Sequence, residues 1–460
     1  MSTDLDLSIT RKIHCVGIGG AGMSAIALVL AAMGHEVSGS DLRDSIVLER
    51  LRAAGIRAEV GHSPVHIGDA DAVSISTAVR DSNPEVVEAH RRGVAVHSRA
   101  DTLAAIAARR RTIAVAGTHG KTTTSSMLAL ILVEAGLRPS FIIGGEVNEI
   151  STNAVWDEGE WLVVEADESD GTFLLLEPEI AVVTAVEPDH LNYYGSLTAL
   201  TEAFERFVAM SRRPPVLSAD DPGAQALAGA AQRSAVTFGC SESATYRASG
   251  FEGGRSASSF LLSHAGQDLG RFELPMPGIY NVLNAVAAIA AASGAGAEPE
   301  HARRALARFA GVARRFEFRG EAEGVTFVDD YAHLPGEVDA AIAAARLGGW
   351  ARVVCVFQPH RYSRTQSLWR DFADSFTGAD LLAVTGIYPA GEEPLPGVSG
   401  KLVVDAVLAA HPDAPAVYIP SREDLVTWLE ETLRRGDLCL TLGAGDLTSL
   451  PEQLLGRARR

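Results

Sequence analysis

Short apolar runs alternate with longer amphipathic ones along almost the whole chain, and this alternation constrains the fold more than any other feature. "KIHCVGI" is followed by the helix-like "AGMSAIALVLAAMG" and then by "HEVSGSD". "DAVSIST" and "GVAVHS" come next, with residues 84–92 reading as a helix between them. Strands that alternate with helices in this way pack as parallel sheets covered by those helices. A second series opens at "TIAVAG" and continues through "PSFIIGG", "WLVVEAD" and "IAVVTAV". A third begins at Thr326, with "TFVDDYAH", "ARVVCVFQPH", "DLLAVTGI", "PAVYIP" and "DLCLTLGAGD". Between Val236 and Pro275 short strands crowd together with few helices, which predicts a small antiparallel patch. The predicted fold class is therefore α/β in three consecutive domains. These are a Rossmann-like N-terminal domain (1–110), a P-loop ATPase-like central domain (111–313) and a Rossmann-like C-terminal domain (314–460).

The formal net charge of −18 argues against a nucleic-acid partner, because such a protein carries a basic footprint. An anionic substrate then needs local basic clusters. The four cysteines, Cys15, Cys240, Cys355 and Cys439, are far apart and form no CxxC pair, so neither a disulfide framework nor a zinc site is predicted. The polar start "MSTDLDLSITRK" does not read as a signal peptide, and no apolar run is long enough to span a bilayer. These features predict a soluble, cytoplasmic protein with no membrane insertion.

Two turns of different design bear on phosphate chemistry. In the first, Gly17, Gly19 and Gly22 satisfy G-x-G-x-x-G between a strand and a helix. Gly20, Met23 and Ser24 belong to the same turn, and Asp41 stands at the end of the next strand. Glycines there let a pyrophosphate approach the backbone, and the helix N-terminus offers N–H donors. The motif fits NAD, a UDP-sugar, or a tight turn that binds nothing. The second turn, Gly117-Thr118-His119-Gly120-Lys121-Thr122-Thr123, is shorter than the strict P-loop, since Val115 stands where the first glycine would be. Its glycines can wrap phosphates, Lys121 supplies a cation, and Thr122 or Thr123 a hydroxyl for Mg²⁺.

A phosphate loop needs acidic partners for Mg²⁺. "WLVVEADESD" supplies Glu165, Asp167, Glu168 and Asp170, and "AVEPDHLNYYG" supplies Glu187, Asp189 and His190, each at a strand end where open parallel sheets bind ligands. In the third series Asp329, Asp330, Tyr331 and His333 end one strand. His360, Arg361 and Arg364 end another, as a basic cluster suited to carboxylate or phosphate oxygens. Gly443, Gly445 and Asp446 follow the last strand.

"GTHGKTTT", "EADESD", "EPDHLNYYG", "NVLNA", "RRFE", "DDYAH" and "QPHRYSRT", in this order and over nearly the whole chain, resemble the Mur ligases of peptidoglycan synthesis. The resemblance implies a three-domain enzyme that uses ATP and Mg²⁺ to join L-alanine to the carboxylate of UDP-N-acetylmuramate. The first turn would hold the UDP pyrophosphate and the second the ATP phosphates around Lys121. Thr122, Glu165 and His190 would hold Mg²⁺. Asn281 and Asn284 would approach adenine, with Tyr331 stacking on it and Arg315 and Asp330 nearby. His360, Arg361 and Arg364 would lie near the muramate carboxylate and L-alanine, and Lys121, Glu165, His190, His360, Arg361 and Arg364 form the catalytic set. His360 and His190 are both candidates to accept the proton of the alanine ammonium. Leu334 and Tyr280 stand where the family usually has His. A dehydrogenase would leave the second turn unexplained. A nucleotide sensor would leave the strand-end clusters without purpose. A ligase that joins a whole peptide shares both turns.

Overall fold

The computed structural model describes residues 5–147 and 152–458. Its first sheet comprises β1 (Lys12–Val16), β2 (Glu36–Asp41), β3 (Arg57–Val60), β4 (Ala72–Ile75) and β5 (Ala95–Ser98). All neighbours are parallel, in the order β3-β2-β1-β4-β5. The connections include α1 (Ala21–Ala32), α2 (Ile46–Ala53), α3 (Pro84–Arg92) and, after β5, α4 (Arg99–Ala107). Central β1 is covered on both faces, so Ile13, Cys15 and Val16 are buried, as continuous apolar runs in parallel sheets require.

The second sheet is built on β6 (Arg111–Ala116), followed by α5 (Lys121–Glu134), β7 (Ser140–Val147), β8 (Thr152–Val155), β9 (Trp161–Glu165) and β10 (Ile180–Val183). After α6 (Leu191–Tyr194) and α7 (Leu197–Ala209) come β11 (Val216–Ser218), α8 (Pro222–Ala226) and β12 (Val236–Gly239). β13 (Tyr246–Gly253), β14 (Ser258–His264) and β15 (Gln267–Leu274) lead to α9 (Ile279–Ala295) and α10 (Pro299–Ala307). One sheet of ten strands results, in the order β15-β14-β13-β12-β11-β10-β6-β9-β7-β8. The short strands expected as a small antiparallel patch stand at one end of this sheet. β12 pairs parallel with both β11 and β13, so the short strands extend the central sheet, with β15 as its outer strand.

The third sheet holds β16 (Glu317–Ala322), β17 (Val325–Asp330), β18 (Arg352–Phe357), β19 (Leu381–Val384), β20 (Ala416–Tyr418) and β21 (Asp437–Leu442). The order is β16-β17-β21-β18-β19-β20, parallel except for β16–β17. α11 (Pro335–Arg346), α12 (Tyr362–Leu368), α13 (Lys401–Ala410), α14 (Arg422–Thr432) and α15 (Leu450–Ala458) complete it. Separate apolar clusters around Val353 and Val354 show that both faces are covered.

Three sheets make two compact units. The first contains residues 1–249, 261–272 and 283–309, and the second residues 250–260, 273–282 and 310–460. The first sheet and most of the second share a unit, because one apolar cluster runs from Ile13 and Met23 to Ala114, Leu162 and Phe204, and α1 packs on β7 and β8. Cys15, Cys355 and Cys439 are buried free thiols, and Cys240 is exposed.

Candidate active site

α1 and α5 begin on glycines, Gly20 and Gly120, with no side-chain cap. The first-turn N–H groups of both are therefore available to an anion. By contrast α2, α4, α7 and α14 are capped by serines.

In the first turn Gly17 has φ +77° and its backbone N–H donates to Ser40 O at 2.8 Å. Gly19 N donates to Asp41 Oδ2 at 2.9 Å. A β-carbon on Gly19 would lie 2.8 Å from Leu48 Cδ1 and 2.9 Å from that oxygen. Gly19 is thus required by the protein's own packing, and Asp41 holds the turn. Gly20, at φ −68°, has room for a side chain. Met23 and Ser24 are buried in α1, with Ser24 Oγ donating to Ala21 O at 3.0 Å. Beneath the turn lies a group sequence reasoning missed. Glu85 is wholly buried and accepts from Ser40 Oγ (2.5 Å), Ser63 N (3.0 Å) and His66 Nδ1 (3.0 Å), with His14 Nε2 at 3.4 Å. Burial alone would raise its pKa, but the hydrogen bonds from His14, Ser40 and Ser63 prevail and bring it down to about 2.

The second turn leaves β6 between β9 and β10. Gly117 has φ +132°, and a β-carbon there would lie 2.1 Å from Thr184 Oγ1. Gly120 has φ +81°, and its β-carbon would meet Asn284 Oδ1 at 2.4 Å. Thr184 binds the carbonyls of Ala116 and His119. Only its position just past β10 signalled it in sequence. Thr118 Oγ1 accepts from Glu187 N at 2.8 Å, and His119 Nε2 is 3.0 Å from Glu187 Oε1. Thr123 is buried in α5. Asn284, expected near adenine, braces the turn, with Thr124 Oγ1 donating to its Oδ1 at 3.3 Å.

Lys121 Nζ donates to Gly117 O at 2.7 Å and to both oxygens of Glu168 at 2.9 Å. Burial would lower the pKa of the ammonium, but Glu168, Asp167 and Glu165 outweigh it and raise it. Burial pushes Glu168 up to about 7 against the pull of Lys121. Thr122 Oγ1 donates to Glu165 Oε1 at 3.0 Å, and Gly144 N donates to Oε2 at 2.7 Å. Thr122 and Glu165 therefore come together as expected. His190 Nε2 is 3.1 Å from Asp189 Oδ2 and 3.8 Å from Glu168 Oε1, the carboxylate that also holds Lys121. Its backbone has φ +54°, a strained conformation of the kind found at functional positions.

In the second unit, the ends of β17, β18 and β21 gather the third set of residues. Asp330 accepts Phe316 N at 2.7 Å and Ala332 N at 2.8 Å and is buried. Burial raises its pKa to about 6. Its carboxylate shapes the backbone at the end of β17. Asn281 is likewise wholly buried, with Nδ2 donating to Pro277 O at 2.8 Å. Tyr331 has Arg314 and Arg315 guanidiniums 4.8 and 5.1 Å from its ring centre. Arg314, not singled out from sequence although it sits in the "RRFE" stretch, also donates to Gly443 O at 2.7 Å. Leu334 is buried and stands just before α11, at its N-cap. Its N–H and that of His333 both donate to Glu337 Oε2, so the turn is held by backbone groups that any residue would supply. Tyr280 packs against the core of this unit.

Arg364 Nη1 lies 3.0 Å from His360 Nδ1. Burial, with His333, Arg364 and Arg361 around it, lowers His360 to about 3. The ring is thus held in its neutral form near pH 7, with Nδ1 accepting from Arg364. Arg361 is not in a helical turn with Arg364. It precedes α12 at φ +67°, its N–H donates to Tyr388 O at 2.8 Å, and its Nε is buried without a partner.

No helix among the described residues is long and apolar enough to cross a membrane. Three family descriptions match in order: Mur ligase family, catalytic domain, over residues 12–111; Mur ligase middle domain, over 115–292; and Mur ligase, glutamate ligase domain, over 314–445. The chain is 46% identical to the UDP-N-acetylmuramate--L-alanine ligase of Anaeromyxobacter sp. (strain Fw109-5), over 97% of both chains. It is 46% identical to that of Rubrobacter xylanophilus over 97% of this chain and 100% of the relative. Among solved structures, it resembles UDP-N-acetylmuramate-alanine ligase MurC from Thermotoga maritima, at TM-score 0.81 and 31% identity over 98% and 99% of the two chains. A murein peptide ligase from Psychrobacter arcticus matches at TM-score 0.69 and 25% identity over 97% and 98%. With these matches spanning the chain from the first turn to the last strand end, the protein belongs to the Mur ligase family.

Proposed function

We propose that the chain is an ATP-dependent ligase that joins L-alanine to the carboxylate of UDP-N-acetylmuramate, as a cytoplasmic step of peptidoglycan precursor synthesis. The observation that carries this reading is the 46% identity, over 97% of both chains, to a relative named for that reaction. The whole-peptide ligase is the second reading, and the weaker 25% identity to a murein peptide ligase counts against it.

A carboxylate is a poor electrophile, so condensation with an amine needs activation. In the proposed reaction a muramate carboxylate oxygen bonds to the γ-phosphorus of ATP, the bond from that phosphorus to the β,γ-bridging oxygen breaks, and ADP leaves. The neutral amine of alanine then attacks the acyl carbon, and the tetrahedral intermediate expels phosphate. Lys121 and the uncapped N-terminus of α5 neutralise and orient the triphosphate. Because Lys121 is already held by Glu168, its ammonium is fixed before the nucleotide arrives. The first turn, with Gly17, Gly19, Gly20 and Gly22, is assigned to the UDP pyrophosphate. Tyr331, with Arg315 beside it, remains the candidate stacking surface for adenine, and Arg361 and Arg364 the candidate grips for carboxylates. His360 and His190 remain the candidates to accept the ammonium proton.

Thr122 and Glu165 offer the hard oxygen donors that Mg²⁺ prefers. Among the described residues no group of three or more His, Cys, Asp or Glu forms a ready cage, so an ion at this place depends on phosphate oxygens and water for most of its ligands. Bound there, Mg²⁺ would neutralise charge on the transferring phosphate.

The test is a substrate panel. Purified enzyme with ATP, Mg²⁺ and UDP-N-acetylmuramate is offered L-alanine, glycine, L-serine or a tripeptide, and phosphate release is measured. Preference for L-alanine supports the reading, whereas turnover with the tripeptide alone replaces it with the second.

A further inference from the structure

Arg99 is the first residue of α4, directly after β5. Its two terminal nitrogens face two different places. Nη2 donates to Asp170 Oδ2 at 3.0 Å. Nη1 lies against the first turn of α1: a β-carbon on Gly22 would stand 3.3 Å from Nη1 and 3.4 Å from Cδ of the same arginine. The side chain is 21% exposed and that of Asp170 29%, so the pair is partly sheltered yet open to a ligand. All of these residues lie in one compact unit.

Asp170 belongs to the acidic turn after β9. Its other oxygen, Oδ1, accepts Thr172 N at 3.0 Å, and Gly171 follows at φ +73°. Two residues before Asp170 is Glu168, which grips Lys121. A continuous chain of contacts therefore leads from the first glycine turn through Arg99 to the acidic turn and the phosphate-loop lysine.

We propose that Arg99 is a positioning residue that couples the two nucleotide sites. The pyrophosphate of the sugar nucleotide, seated at the N-terminus of α1, takes Nη1, while Nη2 keeps Asp170. A guanidinium can serve two anions at once through separate N–H groups, which an ammonium on a flexible stem cannot do with the same geometry. Sugar-nucleotide binding then fixes the acidic turn in the place where Glu168 presents Lys121, and by reciprocity a bound triphosphate tightens the sugar nucleotide. This inference rests on the assignment of the first turn to the UDP pyrophosphate.

The experiment measures UDP-N-acetylmuramate affinity by calorimetry, with and without a non-hydrolysable ATP analogue and Mg²⁺. It uses the full chain as wild type, Arg99→Ala, Arg99→Lys, Asp170→Asn and Gly20→Val, with melting curves to confirm folding. In the wild type the analogue is expected to tighten the sugar nucleotide by about fivefold or more. Arg99→Ala should weaken the sugar nucleotide by roughly tenfold and bring the coupling factor to about one, with affinity for the analogue alone within about twofold of wild type. Asp170→Asn should lose coupling while keeping sugar-nucleotide affinity within about threefold, and Arg99→Lys should recover affinity better than coupling. The proposal is overturned if the wild type shows no coupling, if Arg99→Ala binds and couples like wild type, or if it loses both ligands equally. Gly20→Val probes the turn itself, at a position with room for the side chain. If that variant binds the sugar nucleotide normally, the pyrophosphate assignment fails whatever Arg99 does.

Discussion

Lys121 Nζ stands 2.9 Å from each carboxylate oxygen of Glu168, a side chain that is 1% exposed. The cation assigned to the ATP phosphates is thus held in place by a buried carboxylate. Lys121→Ala removes phosphate neutralisation from a sheltered site and should lower kcat by about 10²-fold or more. It also strands Glu168, so the melting temperature should fall. Adding Glu168→Gln should recover the melting temperature but not the activity. Turnover near wild type in Lys121→Ala would remove this loop from the ATP site.

Thr122 and Glu165 are the oxygen pair offered to the metal. Activity should require Mg²⁺ or Mn²⁺, and Glu165→Ala should raise the metal concentration that gives half-maximal rate. The readout is a metal titration at saturating ATP. If Glu168→Ala alone shifts that titration, Glu168 is the ligand and Glu165 only caps Gly144.

Arg361 and Arg364 are predicted to grip carboxylates, so Arg361→Lys and Arg364→Lys should raise KM for L-alanine more than KM for ATP. Equal rises for all substrates would point to a general structural role. Arg361 carries a second signature. At φ +67° it bears a left-handed strain of about 1–2 kcal/mol that glycine does not. Arg361→Gly should therefore melt no lower than Arg361→Lys while sharing its KM defect.

His360 is lowered to about 3 by burial and by the cations around it. A histidine whose pKa is depressed on folding adds stability above its unfolded value and loses it as pH falls. The window here runs from about 6.5 down toward 3. In NMR titrations the His360 ring should stay neutral from about pH 8 to pH 5. Arg364→Met, which removes the Nδ1 contact and one charge, should move its midpoint upward. A wild-type midpoint near the ordinary value would contradict the assigned environment.

Glu85 lies at about 2, below the ordinary 4.5. A depressed carboxylate stabilises the fold above its unfolded pKa and loses that contribution as pH falls through the folded one, here between 4.5 and about 2. The shift corresponds to about 3 kcal/mol. Glu85→Gln should lose stability at pH 7 and show a flatter acid limb in denaturant melts between pH 5 and pH 2.5. An unchanged acid limb would show that Glu85 is not the group being titrated.

The sequence alone determined the three series of strands and helices, the two glycine turns and the strand-end positions of Lys121, Glu165, His190 and His360. Each depends on local patterning: apolar periodicity, glycine where φ is positive, and polar residues placed just past a buried strand. Tertiary structure decided what those side chains touch. Each oxygen of Asp330 accepts a backbone N–H, from Phe316 and from Ala332, which its sequence position does not announce. Arg361 and Arg364 read as one basic cluster, yet Arg361 lies outside α12 and Arg364 within it. His14, His62, His66 and Glu85 are scattered along the chain and meet only when β1, β2 and α3 pack. Arg99 meets Asp170, 71 positions away in the chain, which no local signal announces. The short strands after Val236 join the central sheet through β12, whose partner β11 is defined only once the chain has folded.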